Sequence, residues 1–444
     1  MKMNRRKFMQ SATATGVALS APNLVAMSSR GKKYRTALIG SGWWGKVITE
    51  MAMQDGSVKM IAVCDVDDAM NDSAVALIKE KSGETPKVYK DYRELLKREK
   101  PEICIIGTPD HWHPLIAIAA AEAGCHIYVE KPVGHTILEG RAMVNAARAA
   151  NRVMQVGTHR RVTPHGVSAY NFVKEGKLGK IGMVRAFVPG GASSAPIKAT
   201  PNEDPPAGLD WDMWCGPAPL NPYNPAYHPR RWRQYLDYAN GQIADWVHWT
   251  DIIKWFMGDH KHPKSASAVG GIMIRNPLPA DAPKGTTVPD APDTLDVHWQ
   301  FDDYVATWEH HQYGGNNHEK GSIGCYFFGD KGVLHVGWKD GWTFHPARNS
   351  QQTIHVDAVL HEPSSQNVPE LWADFIDAIE NKRKPVSDIE IGHWSTTMSL
   401  LGIVSWKLGR SVEWDGDKEL CPGDAEANAL LRREYRDPWV YPEV

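Results

Sequence analysis

The stretch YRTALIGSGWWGKVITEMAM, residues 34–53, decides the fold of the N-terminal half of the chain. It predicts a short apolar strand over residues 36–39, then a glycine-rich turn, then a helix. Gly40 permits a tight turn, Gly42 lets the backbone approach a pyrophosphate, and Gly45 permits close packing of helix on strand. The positive N-terminus of the helix favours the same anion. We therefore predict a dinucleotide-binding loop made of Gly40, Ser41, Gly42, Trp43, Trp44 and Gly45.

The next apolar stretch, VKMIAVCD, indicates which dinucleotide binds, because it ends in Asp65. An acidic side chain at this point would hydrogen-bond the ribose 2′-hydroxyl and repel a 2′-phosphate. The alternative is that Asp65 is only a turn residue at the end of a strand. We expect NAD, rather than NADP, as the cofactor.

Strand-like and helix-like segments alternate over residues 33–156. This alternation predicts an α/β Rossmann domain with a doubly wound parallel sheet. Ligands of such sheets bind at the carboxyl ends of the strands, where GTPDHWHP, EKP and GTHRR fall. The predicted cofactor contacts beyond the glycine loop and Asp65 are Thr108, Pro109, Asp110, His113, Glu130 and Lys131.

Lys131 is the first candidate for a catalytic residue. A lysine at a strand end, beside a nicotinamide, can hydrogen-bond or exchange a proton with a reacting hydroxyl. The alternative is an ordinary exposed lysine at the end of a strand.

Composition excludes several classes of protein. The 444 residues carry a net charge of -2 and no concentrated run of Lys and Arg beyond the N-terminus, so nucleic acid is not an expected partner. Six cysteines without a CxxC pair predict free buried thiols. His111 and His113 lack a third ligand, so no metal site is predicted.

Residues 1–30 have the pattern of a twin-arginine export signal. Arg5 and Arg6 precede Phe8 and a weakly apolar run that is too short for a stable membrane anchor. The alternative is a basic disordered tail. The pattern predicts a periplasmic or otherwise exported protein.

The motifs GSGWWG, TPDHWH, VEKPVG and QVGTHRR, in this order, resemble those of the Gfo/Idh/MocA oxidoreductase family. The resemblance extends over most of the chain and is closest to the exported branch of the family. It implies a second, α+β domain over residues 157–425, with an open and mostly antiparallel sheet, followed by a C-terminal tail over residues 426–444. It also implies a homo-oligomer, either dimer or tetramer, and Lys131 as the catalytic lysine.

The stretch GQIADWVHWTDIIKWF, residues 241–256, has the period of one amphipathic helix. The family pattern D-x-x-x-H-x-x-D implies that Asp245 and His248 share the catalytic work with Lys131. Here His248 follows Asp245 by three residues instead of four. Whether Asp245 or Asp251 orients His248 is left open, and Asp245 as a simple helix cap is the alternative.

A long Pro-, Gly- and Trp-rich segment precedes this helix and is typical of a functional loop. It contributes Trp214, His228 and Trp232 to a predicted substrate wall, although core packing or contact with another subunit is an equal alternative for each. The full set of predicted substrate contacts is His159, Arg160, Trp214, His228, Trp232 and Asp251.

These features predict an exported NAD-dependent oxidoreductase that transfers hydride from a ring CH–OH, with C3 as a specific case, of a sugar or glycoside. An NAD-dependent glycosidase is the first alternative; it needs an additional base, for which Tyr170, His159 and His228 are candidates. A non-catalytic protein that binds sugar and NAD is the second alternative.

Overall fold

The computed structural model describes residues 31–189, 200–229, 231–274, 286–316, 318–319, 321–348, 350–361 and 364–444. The predicted export signal lies outside these residues.

Six parallel strands form the first sheet, in the order β3-β2-β1-β4-β5-β6. The strands are β1 (Tyr34–Ile39), β2 (Val58–Cys64), β3 (Lys87–Tyr89), β4 (Ile103–Ile106), β5 (His126–Val129) and β6 (Met154–Val156). Most of their side chains are buried, as expected of a parallel sheet covered on both faces. The predicted doubly wound Rossmann sheet is confirmed.

Helices connect these strands and cover the sheet. They are α1 (Trp43–Asp55), α2 (Asp68–Ser82), α3 (Tyr92–Glu99), α4 (His113–Glu122) and α5 (Ile137–Ala149). Side chains of Asp67 and Asp91 cap the N-termini of α2 and α3, and Thr136 with Glu139 forms a capping box on α5. Each cap satisfies amide groups that the first helical turn leaves unpaired.

A second sheet of nine strands follows, in the order β14-β13-β12-β11-β7-β10-β9-β8-β15. Its pairs are antiparallel except for the parallel pair β7 and β10, so the mostly antiparallel sheet is confirmed. The strands are β7 (Ile181–Pro189), β8 (Ser265–Gly271), β9 (Thr294–Gln300), β10 (Val305–His311), β11 (Gly324–Gly329), β12 (Gly332–Gly337), β13 (Trp342–Pro346), β14 (Ile354–Val356) and β15 (Val412–Glu413).

The remaining helices are α6 (Pro164–Lys174), α7 (Trp211–Cys215), α8 (Gly241–Asp245), α9 (His248–Met257), α10 (Val368–Glu380), α11 (Ile389–Leu408) and α12 (Ala425–Ala429). Two of them pack against the first domain. The apolar face of α10 packs on the first sheet, with Trp372 against Tyr128. Helix α11 packs against both α5 and β8. Helix α11, which comes late in the chain, therefore connects the first domain to the second sheet.

The long segment over residues 200–240 packs across the carboxyl end of β2. The Asp210 amide donates to the Val66 carbonyl at 3.0 Å, and the Asp68 amide donates to the Gly208 carbonyl at 3.2 Å. Aromatic side chains give this segment a small core of its own, in which the Trp211 and Trp214 rings stack at 4.6 Å. This segment forms one wall of the cavity described below.

All six cysteines are free and buried, as predicted. None of the helices in the described ranges combines the length and apolar character needed to cross a membrane.

Candidate active site

A cavity of about 600 Å³ lies at the carboxyl ends of the parallel strands. Its walls come from the glycine loop, from the ends of β2, β4 and β5, from the segment over residues 200–240, and from the start of α9. The cavity is where a doubly wound sheet binds its ligand. The strand-end motifs that the sequence placed at this edge of the sheet therefore line one cavity.

The three glycines of the loop differ in what a side chain would meet. A Cβ at Gly40 would lie 2.5 Å from the Thr108 amide nitrogen, and Gly40 has a φ of +89°. A Cβ at Gly45 would collide with the Gly40 carbonyl. A Cβ at Gly42 would meet no atom within 4 Å, because this residue faces the open cavity. Gly42 thus leaves room for a ligand that approaches the N-terminus of α1, as a dinucleotide pyrophosphate does.

Asp65 lies at the end of β2 on the cavity wall. Its carboxylate accepts the Ser41 amide at 2.7 Å and the Asp67 amide at 3.1 Å. Burial raises the pKa of the Asp65 carboxyl to about 6, although these two amides oppose the shift. The amide bonds fix the carboxylate in place, and its remaining lone pairs suit the hydroxyls of a ribose. Ser41 therefore acts through Asp65, and its own buried hydroxyl has no described partner.

Most of the predicted cofactor contacts do line the cavity. These are Gly40, Gly42, Trp43, Trp44, Asp65, Thr108, Pro109, Asp110, Glu130 and Lys131. The open space at Gly42, the carboxylate of Asp65 and the partnerless hydroxyl of Thr108 in the described structure fit an NAD molecule.

The expected contact by His113 is wrong. Its ring nitrogens bind the Pro132 and Thr108 carbonyls, each at 2.9 Å, so His113 holds two cavity loops together. His111 is also buried and binds the Trp214 carbonyl at 2.9 Å. Both ring nitrogens of His113 are thus occupied, whereas His111 Nδ1 is buried without a partner among the described residues. No cluster of three or more potential metal ligands occurs in the described ranges.

Lys131 lies at the end of β5, after which the Lys131-Pro132 peptide is cis. Its Nζ donates to Asp245 Oδ1 at 2.9 Å and also to the Asp245 carbonyl. Arg233 Nε donates to the same Oδ1 at 3.0 Å. Burial alone would raise the pKa of the Asp245 carboxyl, but Lys131 and Arg233 hold the pKa below its usual range. Asp245 is therefore an anion that fixes two cations in the cavity wall.

The predicted single helix over residues 241–256 is wrong in one respect. Helix α8 ends at Asp245 and α9 begins at His248, with Trp246 and Val247 in a turn between them. The predicted apolar face of the helix is confirmed, since Trp249, Ile252, Ile253 and Phe256 are all buried. The break directs Asp245 toward Lys131.

His248 is oriented by neither aspartate. Within the described chain, no residue hydrogen-bonds to either of its ring nitrogens, and its Nδ1 is buried. The His248 ring lies 4.6 Å from the His159 ring, centroid to centroid. Burial lowers the pKa of His248 well below its ordinary value, and the charge of Arg160 lowers it further. His248 is therefore neutral and able to accept a proton.

Asp251 is not a substrate residue. It is fully buried and forms a bidentate ion pair with Arg161, both bonds being 2.8 Å. Ser395 Oγ donates to it at 2.7 Å. Asp251 anchors α9 to the turn after β6 and is absent from the cavity wall.

The other predicted substrate residues, His159, Arg160, Trp214, His228 and Trp232, all line the cavity. His228 binds Asp67 at 2.9 Å, beside the Asp65 carboxylate, and so lies by the predicted ribose contact. Tyr170 is absent from the cavity wall and stacks on Trp255 at 4.7 Å. Of the three candidates for an additional base, only His159 lies beside His248.

Among the cavity residues that the sequence did not indicate are Arg233, Trp338 and Gln366. Arg233 lies in a segment whose sequence shows only that a loop is present. Trp338 and Gln366 come from the C-terminal region and belong to no motif that would have indicated them.

Comparison with known proteins identifies the family. Residues 34–158 match the model of the Gfo/Idh/MocA oxidoreductase family, NAD-binding Rossmann fold. Residues 192–270 and 295–441 match the model of its C-terminal alpha/beta domain. The chain belongs to the Gfo/Idh/MocA oxidoreductase family, and its first domain is an NAD-binding domain.

Curated relatives match only part of the chain. A glycosyl hydrolase family 109 protein of Shewanella sp. (strain W3-18-1) is 28% identical over 203 residues, 40% of this chain and 44% of the relative. An alpha-N-acetylgalactosaminidase of Shewanella oneidensis is 30% identical over 33% of each chain. A levoglucosan dehydrogenase of Pseudarthrobacter phenanthrenivorans is 41% identical over 91 residues, 20% of this chain and 23% of the relative. The chain thus spans less than half the length of these relatives.

Solved structures share the fold over most of the chain. A levoglucosan dehydrogenase in complex with NADH and levoglucosan gives a TM-score of 0.66 at 20% identity, covering 86% of this chain and 99% of that one. The scyllo-inositol dehydrogenase of Lactobacillus casei, with NAD(H) and scyllo-inositol, gives 0.60 at 20% identity and the same coverage. At this identity the similarity concerns the fold alone.

Proposed function

We propose that the protein is an exported NAD-dependent oxidoreductase that oxidises a ring CH–OH of a sugar or glycoside, with C3 of a glycoside as the specific case. The observation that carries the proposal is the Lys131–Asp245 pair, which shares one cavity with His248 and with the dinucleotide loop. An NAD-binding domain supplies the redox partner, and the cavity supplies groups that can move a proton.

When NAD is bound, its nicotinamide supplies the hydride acceptor. The protein's own part is to bind the sugar and to take the proton of the hydroxyl that is oxidised. Neutral His248 has a lone pair for that proton. The Lys131 ammonium, fixed by Asp245, donates to the same oxygen and stabilises the negative charge that develops on it.

An NAD-dependent glycosidase is the second candidate. The similarity to glycosyl hydrolase family 109 proteins favours it, over the part of the chain that they cover. Oxidation acidifies the adjacent C–H, and a second base then removes that proton as the aglycone leaves. His159, beside His248, is in a position to act as this base.

Three measurements test these candidates. Heat-denatured protein should release NAD; a preparation that neither holds nor takes up NAD would refute both candidate functions.

A panel of nitrophenyl glycosides, followed at the absorbance of reduced cofactor and of free nitrophenol, separates the two reactions. Reduced cofactor without aglycone release supports the dehydrogenase, while aglycone release without net reduction supports the glycosidase. Product NMR identifies the oxidised carbon. A protein that binds NAD and sugar without either reaction would be the non-catalytic alternative.

Export is part of the proposal and depends on Arg5 and Arg6. Fractionation of cells that produce the full chain should recover it outside the cytoplasm, and changing both arginines to lysine should retain it inside. Recovery of both proteins in the cytoplasm would refute export.

The proposed homo-oligomer, a dimer or tetramer, is tested by light scattering.

A further inference from the structure

Arg160 is a buried cation on the cavity wall. It lies in the 3-10 turn His159–Val162, directly after the end of β6, and is 3% exposed. Its guanidinium lies 4.7 Å from the Trp249 ring centroid and 5.0 Å from the Trp338 ring centroid. Both indole rings thus lie within cation–π distance of the guanidinium, beside the cavity.

No carboxylate of the residues that the structure describes pairs with this arginine. In the described part of the chain, its side chain makes neither a hydrogen bond nor an ion pair, and its Nε is buried without an acceptor. The next residue, Arg161, is equally buried but binds Asp251 at 2.8 Å and Asp259 at 2.6 Å. Among the described residues, two acids thus pair with Arg161 and none pairs with Arg160.

A buried charge without a partner is unfavourable, so proteins pair such charges or use them for binding. None of the four acids that line the cavity pairs with Arg160: Asp245 binds Lys131 and Arg233, and Asp65 binds two amides. Burial raises the pKa of the other two carboxyls, those of Asp110 and Glu130, to about 7. Burial lowers the pKa of Arg160 to about 9, which still leaves it charged at neutral pH. A ligand in the cavity can supply the missing acceptor.

The shape of the guanidinium favours one chemical group. Its parallel N–H groups match the two oxygens of a carboxylate, and charge-assisted bonds of this kind are stronger than bonds to neutral hydroxyls. We infer that the substrate is an anionic sugar, a glycoside of a hexuronic acid, whose carboxylate binds Arg160. This inference rests on the proposed sugar-oxidising function and specifies its substrate class.

Binding of a carboxylate would also change the neighbouring histidines. The positive charge of Arg160 is, after burial, the largest influence that lowers the pKa of both His248 and His159. An anion on Arg160 would offset that charge and raise the pKa of His248, which makes it a better proton acceptor. Binding of an anionic substrate would thereby make His248 a stronger base for the reaction of that substrate.

The test compares ligands that differ only in charge. Isothermal titration calorimetry on NAD-loaded protein measures binding of methyl glucuronide, its neutral uronamide and methyl glucoside. We expect the glucuronide to bind at least about tenfold more tightly than either neutral ligand, about 1.4 kcal/mol. Equal affinities, or no binding of the glucuronide, would overturn the inference without refuting the oxidoreductase, because NAD content and turnover of neutral glycosides are measured separately. Tighter binding of glucose 6-sulfate would overturn the choice of carboxylate.

Two variants test whether the preference for the glucuronide depends on Arg160. Arg160→Gln should abolish the preference for the glucuronide, while Arg98→Gln, which removes an exposed arginine from α3, should keep it. A preference that survives in Arg160→Gln would overturn the assignment. If Arg160→Gln does not fold, the ligand comparison on the unmodified protein still decides.

Discussion

Lys131 Nζ lies 2.9 Å from Asp245 Oδ1, across 114 residues of sequence. The bond joins the end of a Rossmann strand to the end of α8 in the second half of the chain. It fixes the ammonium in the cavity and keeps Asp245 ionised. This ion pair, rather than an Asp–His pair within one helix, is the structural centre of the candidate active site.

Changing Lys131 to Met should leave the protein folded and NAD-bound but should lower turnover about 10²- to 10⁴-fold, the usual contribution of a positioned acid or base. Activity is measured with the glycoside panel and NAD by release on denaturation. Lys59→Met removes an exposed lysine of β2 and serves as the control. Full turnover in Lys131→Met would remove this residue from the mechanism.

Asp245→Asn and Asp251→Asn form a matched pair that separates chemistry from stability. Loss of the Asp245 charge leaves Lys131 and Arg233 without their shared anion, so turnover should fall while the melting temperature changes little. Loss of the Asp251 charge leaves Arg161 buried with only Asp259, and breaking such a pair costs about 3–5 kcal/mol. Chemical denaturation and kcat are measured for both. The opposite pattern would mean that Asp251 is the catalytic carboxylate.

Gly42→Ala should weaken NAD binding, whereas Gly45→Ala should lower the stability of the protein. Gly42 has open space at its Cβ position and a φ of -62°, so alanine should preserve the fold. The added methyl points into the cavity and should weaken NAD binding on the order of tenfold, as overpacking does. A methyl at Gly45 would collide with the Gly40 carbonyl and should destabilise the protein itself. Thermal unfolding and NAD titration distinguish the two, and unchanged NAD affinity in Gly42→Ala would contradict the predicted path of the pyrophosphate.

Glu130 makes stability depend on pH. Burial raises the pKa of its carboxyl from 4.5 to about 7 in the folded protein. Between these values the folded state binds more protons than the unfolded state, so the free energy of unfolding should fall as pH rises from about 4.5 to about 7, by on the order of 3 kcal/mol. In nucleotide-free protein, Glu130→Gln should flatten this slope. Glu94→Gln, which changes an exposed carboxyl on α3, should leave the slope unchanged. An unchanged slope in Glu130→Gln would contradict the raised pKa of Glu130.

The Rossmann half could be predicted in detail because its determinants are local. The turn at Gly40, the helix packing at Gly45 and the acid at Asp65 follow from one strand, one turn and one helix. The carboxyl ends of parallel strands share one edge of the sheet, so the strand-end motifs had to meet there. Lys131 was found for the same reason, with help from the family resemblance.

The partners of the charged residues could not be predicted in this way. Helical periodicity cannot show a two-residue break, so Asp245 and His248 were expected to face each other, whereas Asp245 binds Lys131 and Arg233. His113 was expected to contact the cofactor, but both of its ring nitrogens bind backbone carbonyls.

Arg160 and Arg161 show most clearly that the sequence does not predict the partners of charged side chains. They are adjacent and identical; the sequence alone determined that both follow β6 and indicated Arg160 as a substrate contact, but it could not show which groups either side chain binds. The tertiary structure decided that Arg161 meets Asp251, 90 residues away, while Arg160 lies between two indole rings on the cavity wall. Charge pairing depends on which distant segments pack together, and that is set by the assembled core rather than by local pattern.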